Sequence, residues 1–177
     1  LRPGEAMTVL GVEVGYGVDY DALWRKVGTN MLTAMRLWGR VRLSLLARCM
    51  VLKTMIYSRM WFLAAYTPHH VRTLKLVRKA GLLFLHRGML PAGITISTPL
   101  RELHVPAALS YPAVSASRAE GGLAMWDPEE QIEVIHAKWI WLLLQDPAPV
   151  RNAIAGWQHL PRYYMAWHTC RQDDRTR

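Results

Sequence analysis

The chain has 177 residues, of which 51% are hydrophobic, and its formal net charge is +9 at pH 7. This length suits one domain or two small helical lobes, and the hydrophobic content excludes a disordered, highly charged tail. Its two cysteines, Cys49 and Cys170, exclude a disulfide scaffold and fit a reducing compartment, so we expect an intracellular location, in the nucleus or the cytoplasm.

The first recognisable element is a short strand. Residues from Met7 to Val14 alternate and are rich in β-branched side chains, and glycines follow them. This pattern predicts a strand that ends at the turn Gly15 to Gly17. Because the chain opens directly on this strand with Leu1 as its first residue, we expect a fragment of a longer protein.

Three helices are predicted between Asp19 and Gly88. Asp19 is the predicted N-cap of the first, which carries an apolar stripe as far as Trp38 and ends at Gly39. Ser44 is the predicted N-cap of the second, with Leu46, Met50, Ile56 and Met60 on its inner face. Thr67 and Pro68 are the predicted N-cap and first residue of the third, with Val71, Leu74, Val77 and Leu82 facing inward.

This helical stretch carries the positive charge of the protein. Residues 19 to 88 contain thirteen basic and two acidic side chains, a net charge of +11 against +9 for the whole chain. Such a one-signed element is typical of a surface that binds a polyanion. Three cations, Arg48, Lys53 and Arg59, interrupt the most apolar run, so no membrane insertion is predicted.

The second half of the chain begins with an irregular, proline-rich connection. Four prolines lie between Met89 and Ala119, which predicts a domain boundary near 88–96 and no long helix within this connection. Asp127 then caps a predicted helix, another helix begins near Asp146, and the charged tail 171–177 is expected to be disordered. The predicted fold is therefore mainly α: a helical bundle at 19–88 and a second helical lobe within 89–170.

An ordered series of motifs runs through residues 9 to 144. Its members are Leu10-Gly11-Val12, Trp38, Leu43-Ser44, Arg48, Lys53, Tyr57, Pro68, Phe84, Gly121-Gly122-Leu123, Asp127 and Lys138-Trp139. This series resembles the region after the palm of LINE-type (non-LTR) retrotransposon reverse transcriptases. One position departs from the family pattern, because Ala47 stands where the family usually has glycine, a mild change within a helix.

The resemblance implies an identity for each part of the chain. Residues 1–18 would be the end of the palm strand region, 19–88 a thumb-like lobe, and 89–170 the linker and a second helical lobe. The thumb-like lobe would hold an RNA–DNA or RNA template–primer duplex by recognising the shape of the duplex. The chain would be joined to the rest of the reverse transcriptase polyprotein. The parent enzyme would be an RNA-directed DNA polymerase that uses magnesium.

Catalytic residues are not predicted in this chain. Two-metal polymerases need paired carboxylates, and the adjacent acids Glu129-Glu130 and Asp173-Asp174 have ready explanations in a helix start and a charged tail. His159, His168 and Cys170 lack the spacing of a zinc site. We therefore expect no enzymatic activity, no metal and no cofactor in this fragment.

The candidate nucleic-acid-binding residues are basic side chains of the first lobe, because phosphate contacts require arginine and lysine. They are Arg40, Arg42, Arg48, Lys53 and Arg59. Two alternatives remain open. Instead of binding a duplex, the chain would be an inert remnant bundle that binds polyanions only loosely, or a peripheral protein on an acidic membrane surface.

Overall fold

The computed structural model describes residues 6–9, 12–15, 18–67, 69–106 and 110–145. Over these ranges the protein is mainly helical, which confirms the predicted fold class. The chain forms two compact units, Leu1–Ile132 and Glu133–Arg177. The predicted helix from Asp146, the tail 171–177 and the rejected zinc residues His159, His168 and Cys170 lie outside the described ranges.

The N-terminal part forms a two-stranded hairpin. Strand β1 (Ala6–Val9) pairs antiparallel with β2 (Val12–Gly15), and Met7 lies opposite Val14. The alternation of the sequence predicts one strand over this stretch, whereas the structure has two. Each strand supplies hydrogen-bonding partners for the other, so the pairing is local.

Helix α1 (Tyr20–Gly39) begins and ends as the sequence predicts. The Asp19 carboxylate accepts a hydrogen bond from the Ala22 amide at 2.9 Å, which satisfies one of the free N–H groups of the first turn. Trp24, Met31 and Met35 lie buried along one face. The Trp24 indole donates to the Thr67 hydroxyl at 3.1 Å, which ties this face to the end of the second helical stretch.

The second helical stretch consists of α2 (Leu45–Val51), a π-helical turn (Leu52–Tyr57) and α3 (Ser58–Tyr66). Ser44 is its N-cap, as predicted. The predicted inner face is correct for Ile56 and Met60, which are buried, but wrong for Leu46 and Met50, which are 52% and 61% exposed. The buried stripe starts at Cys49 and Leu52 instead, so α2 contacts the core along a different line from the one predicted.

Helix α4 (Val71–Arg87) starts later than predicted. His70 is its N-cap, and the Nδ1 atom of His70 accepts a hydrogen bond from the Thr73 amide at 3.3 Å. Thr67, the predicted N-cap, instead ends α3: its amide donates to the Leu63 carbonyl at 3.0 Å. Val71, expected to face inward, is exposed, and the helix ends at Gly88 with a left-handed φ of 77°.

The segment after Gly88 is irregular and holds only short helices. These are a 3-10 turn at Leu100–Glu102, α5 (Tyr111–Ser115) and a 3-10 turn at Arg118–Glu120. Helix α6 (Pro128–Gln145) follows, and the Asp127 carboxylate accepts from the Glu129 amide at 3.0 Å, as expected for its N-cap. The structure divides into its two units within α6.

One hydrophobic core extends through the first unit. It includes residues of the helices, such as Met35 and Phe84, and residues of the irregular segment. The irregular segment contributes Leu90, Ile94, Leu103, Tyr111, Val114 and Met125. The predicted boundary near 88–96 therefore falls inside a compact unit, because the side chains on both sides of it share the same core.

Candidate nucleic-acid interface

Most of the cations between residues 19 and 88 are held by the protein itself. Eight of the thirteen make a hydrogen bond or an ion pair within the described chain: Arg25, Arg36, Arg48, Lys53, Arg59, Arg72, Arg78 and Lys79. Their charges are partly satisfied by carbonyl and carboxylate oxygens. The net charge of +11 thus overstates what this stretch offers to a ligand.

Five cations of this stretch have no such partner among the described residues: Lys26, Arg40, Arg42, Lys75 and Arg87. All five are exposed. They are free to contact phosphate without first breaking an internal hydrogen bond.

Two of these cations, Arg40 and Arg87, lie at the adjoining C-terminal ends of α1 and α4. A Cβ atom placed on Gly39 would lie 3.2 Å from the Gly88 carbonyl oxygen and 3.0 Å from the Cα atom of Met89. Arg42 follows Arg40 by two residues. We call Arg40, Arg42 and Arg87 the basic end of the bundle.

Arg48 adjoins the basic end but has a structural role. Its guanidinium donates to the carbonyl oxygens of Leu85 at 2.8 Å and Leu43 at 3.0 Å, and more weakly to that of His86 at 3.3 Å. The last carbonyls of a helix lack intrahelical donors, and a cation there also interacts favourably with the helix dipole. Arg48 therefore fastens the end of α4 to the start of α2.

Lys53 makes its contacts at the loop that precedes α6. Its Nζ atom donates to the Ala124 carbonyl at 3.1 Å and lies 4.3 Å from the centre of the Trp126 ring. Ala124 has a φ of 48°, a left-handed conformation that is uncommon for a residue with a side chain. Lys53 thus holds a strained loop against the second helical stretch and has less capacity for an external phosphate.

Arg59 lies apart from the other predicted site residues. Its Nε atom donates to the Met55 carbonyl at 3.0 Å, and the side chain is exposed on α3. Eleven residues of helix separate it from Arg48, a rise of about 16 Å. Of the predicted residues, Arg40 and Arg42 follow the end of α1 and Arg48 lies beside Gly88 at the end of α4, whereas Lys53 and Arg59 make their contacts elsewhere.

Arg87 belongs to the candidate site although the sequence interpretation did not select it. The available signal was its place in the last helical turn, directly before the glycine that ends α4. A basic residue there is favoured by the helix dipole whatever it binds. Only the packing of α4 beside α1 shows that Arg87 lies near Arg40.

Acidic groups near the first lobe are engaged by Arg78. Its guanidinium donates to Asp127 and to Glu129, the latter at 3.1 Å. Burial alone would lower the pKa of Arg78, but the hydrogen bond to Asp127 and the charges of both carboxylates raise it above its ordinary value. Glu129, half of one acidic pair considered for catalysis, thus takes part in an ion pair that joins α4 to the start of α6.

A group of exposed apolar side chains lies close in sequence to Arg40, Arg42, Arg48 and Arg87. It consists of Leu37, Val41, Leu45, Leu46, Met50 and Met89, each at least 46% exposed. Met89 is placed beside the end of α1 by its contact with Gly39. This end of the bundle therefore offers both positive charge and apolar surface.

Within the described ranges, no three His, Cys, Asp or Glu side chains are grouped so that they could hold a metal ion. None of the helices described here is both long and apolar enough to cross a bilayer.

Comparison with known proteins identifies no relative: no protein-family model, no curated protein and no solved structure matches the chain.

Proposed function

We propose that this chain is a non-catalytic fragment of a LINE-type reverse transcriptase that binds the primer–template duplex through its basic end. The observation that carries the proposal is the group formed by Arg40, Arg42 and Arg87, whose charges have no partner among the described residues. The ordered motifs from Leu10 to Trp139 support the family. In this proposal, the catalytic carboxylates and magnesium belong to the parent polymerase, which acts in the nucleus or cytoplasm.

The proposed contacts follow from what each cation can still donate. Arg40 and Arg42 can direct whole guanidinium groups towards neighbouring phosphates, whereas Arg48 already donates to three carbonyls. Contacts to phosphate carry no base identity, so the duplex would be bound by its shape and charge. Arg48 and Lys53 would contribute mainly by keeping the surface in place.

The first prediction concerns the double variant Arg40→Gln/Arg42→Gln. It should bind a labelled RNA–DNA hybrid more weakly, and the slope of log K against log salt should flatten by about two, since two phosphate contacts are lost. Fluorescence anisotropy at several salt concentrations measures both quantities. The matched control is Lys26→Gln/Lys75→Gln, which removes the same charge from exposed sites outside the basic end.

The outcomes separate duplex recognition from general charge attraction. The proposal is supported if the protein binds the hybrid more tightly than a single strand or heparin, and if only the Arg40→Gln/Arg42→Gln variant loses this preference. Equal effects of the two double variants would show that net charge alone determines binding, and the proposal would fail.

A second candidate function rests on the exposed apolar side chains at the same end. Leu37, Val41 and Leu45, with the two arginines beside them, have the composition of a surface that binds acidic membranes peripherally. An inert remnant bundle with such a surface would bind polyanions without preference for a duplex. Sedimentation with liposomes, with and without anionic lipid, tests it: co-sedimentation with anionic vesicles, together with equal affinity for hybrid and heparin, favours this candidate.

A further inference from the structure

A pocket of about 560 Å³ lies between α4 and the irregular segment that follows Pro99. Its volume falls within the range of about 300–1,000 Å³ that is usual for small-molecule sites. It is formed within the first unit, and none of the residues of the basic end lines it. The pocket is therefore a separate feature from the proposed duplex surface.

The walls of the pocket are mainly apolar. Leu82, Leu100, Val105, Pro106 and Pro112 line it, together with the buried Tyr111. The Tyr111 hydroxyl is already engaged, because it lies 2.5 Å from the hydroxyl of Tyr57 inside the core. The walls thus favour a ligand body that needs few hydrogen bonds.

Two lysines give the pocket an accessible positive charge. Lys75 and Lys79 are four residues apart on α4 and so lie on the same face of the helix. Lys75 is exposed and has no hydrogen bond or ion pair in the part of the chain described, while the Lys79 ammonium uses one N–H for the Leu100 carbonyl at 2.9 Å. The third cation of the lining, Arg78, is compensated by Asp127 and Glu129.

We propose that this pocket binds an organic monoanion with an apolar body, such as an aryl or alkyl carboxylate. Lys75 and Lys79 hold the anionic head, and the leucine, valine and proline walls cover the body. A nucleotide is a poorer fit, since the Tyr111 hydroxyl is engaged and Ser110 is the other neutral polar side chain among the described lining residues. The edge of a base would remain largely without hydrogen-bonding partners.

Calorimetric titration of the full chain with 2-naphthoate and with neutral 2-naphthamide tests the charge requirement. The acid should bind about tenfold more tightly than the amide, the factor expected of one charge-assisted hydrogen bond. Lys75→Met keeps the aliphatic stem and should remove this preference. Lys26→Met, an exposed lysine on α1 that is not part of the pocket, should retain it.

A second variant locates the binding. Pro106 is exposed at the pocket, so Pro106→Trp should fill part of the cavity and weaken both ligands with little change in melting temperature. The proposal is overturned by equal affinity for acid and amide, by equal losses in the two lysine variants, by undiminished binding to Pro106→Trp, or by no binding at millimolar ligand. Loss of duplex binding is expected in Arg40→Gln/Arg42→Gln and loss of the carboxylate preference in Lys75→Met, so either proposal can fail without the other.

Discussion

At the scale of single residues, a pair of buried tyrosines connects distant parts of the first unit. The hydroxyls of Tyr57 and Tyr111 lie 2.5 Å apart, and the Arg78 guanidinium is 4.7 Å from the centre of the Tyr111 ring. Gly81 is required beside them, because a Cβ atom there would lie 1.9 Å from the Tyr57 hydroxyl oxygen. This explains a glycine in the middle of α4, where it costs about 1 kcal/mol relative to alanine.

The tyrosine pair predicts how stability depends on alkaline pH. Burial raises the pKa of Tyr57 well above its ordinary value, and the hydrogen bond between Tyr57 and Tyr111 opposes this only in part. Because an unfolded tyrosine ionises near pH 10, the unfolded state releases its proton first. The free energy of unfolding should therefore be fully retained below about pH 10 and decrease as the pH rises further.

Tyr57→Phe should make this alkaline decrease shallower. The variant should also lose about 1 kcal/mol of stability at neutral pH, the usual net value of one hydrogen bond. Urea unfolding between pH 8 and 11 measures both effects, with Tyr20→Phe at the start of α1 as the control for loss of a hydroxyl. Parallel pH dependences for wild type and Tyr57→Phe would contradict the assignment.

At the scale of elements, two basic side chains of the type that binds phosphate join the second helical stretch to α4 and to the loop before α6. Arg48 binds the end of α4, and Lys53 binds the loop at Ala124. The π-helical turn contains Lys53 and Thr54. Thr54 and Ser58, which directly follows the turn, donate to the carbonyls four residues earlier, at 2.8 Å and 2.6 Å. Such back-bonding often accompanies bends in helices. The cations of this stretch thus connect elements.

Arg48→Lys should destabilise the fold although it preserves the charge. An ammonium cannot reproduce the planar set of donors that reaches Leu43, Leu85 and His86, so we expect a loss of about 1–2 kcal/mol. Arg42→Lys, at an exposed site, should change stability by less than about 0.5 kcal/mol. Urea unfolding compares the two. Equal stabilities would mean that the carbonyl contacts of Arg48 contribute nothing.

At the scale of the whole molecule, the first unit is completed by its irregular segment. Ile94, Leu103 and Met125 are all at least 93% buried and belong to the same core as Trp24 and Phe84. A helical lobe that ended at Gly88 would leave the partners of these side chains exposed to water. This exposure would cost about 25 cal/mol of folding free energy for each Å² of apolar surface.

This organisation predicts the smallest part that folds. A chain of residues 18–88 should show no cooperative thermal transition, whereas a chain of residues 18–145 should unfold cooperatively. Circular dichroism during heating distinguishes them. A cooperative transition in the shorter chain would instead support the boundary near 88–96 that the proline pattern predicts.

Helix ends were largely determined by the sequence, because capping depends on residues within about three positions. Asp19, Ser44, Gly88 and Asp127 all act at the ends where they were predicted. The exception is the start of α4, where Thr67 was the predicted cap and His70 is the residue that caps the helix. The fold class follows from these local signals.

The identity of the free cations was decided only by the tertiary structure. Arg48 and Lys53 look like Arg40 and Arg42 in the sequence, but Arg48 donates to a carbonyl 37 positions away and Lys53 to one 71 positions away. No local pattern specifies such a partner. Whether a basic side chain can reach a phosphate depends on which carbonyls packing brings near it, and that is a property of the assembled core.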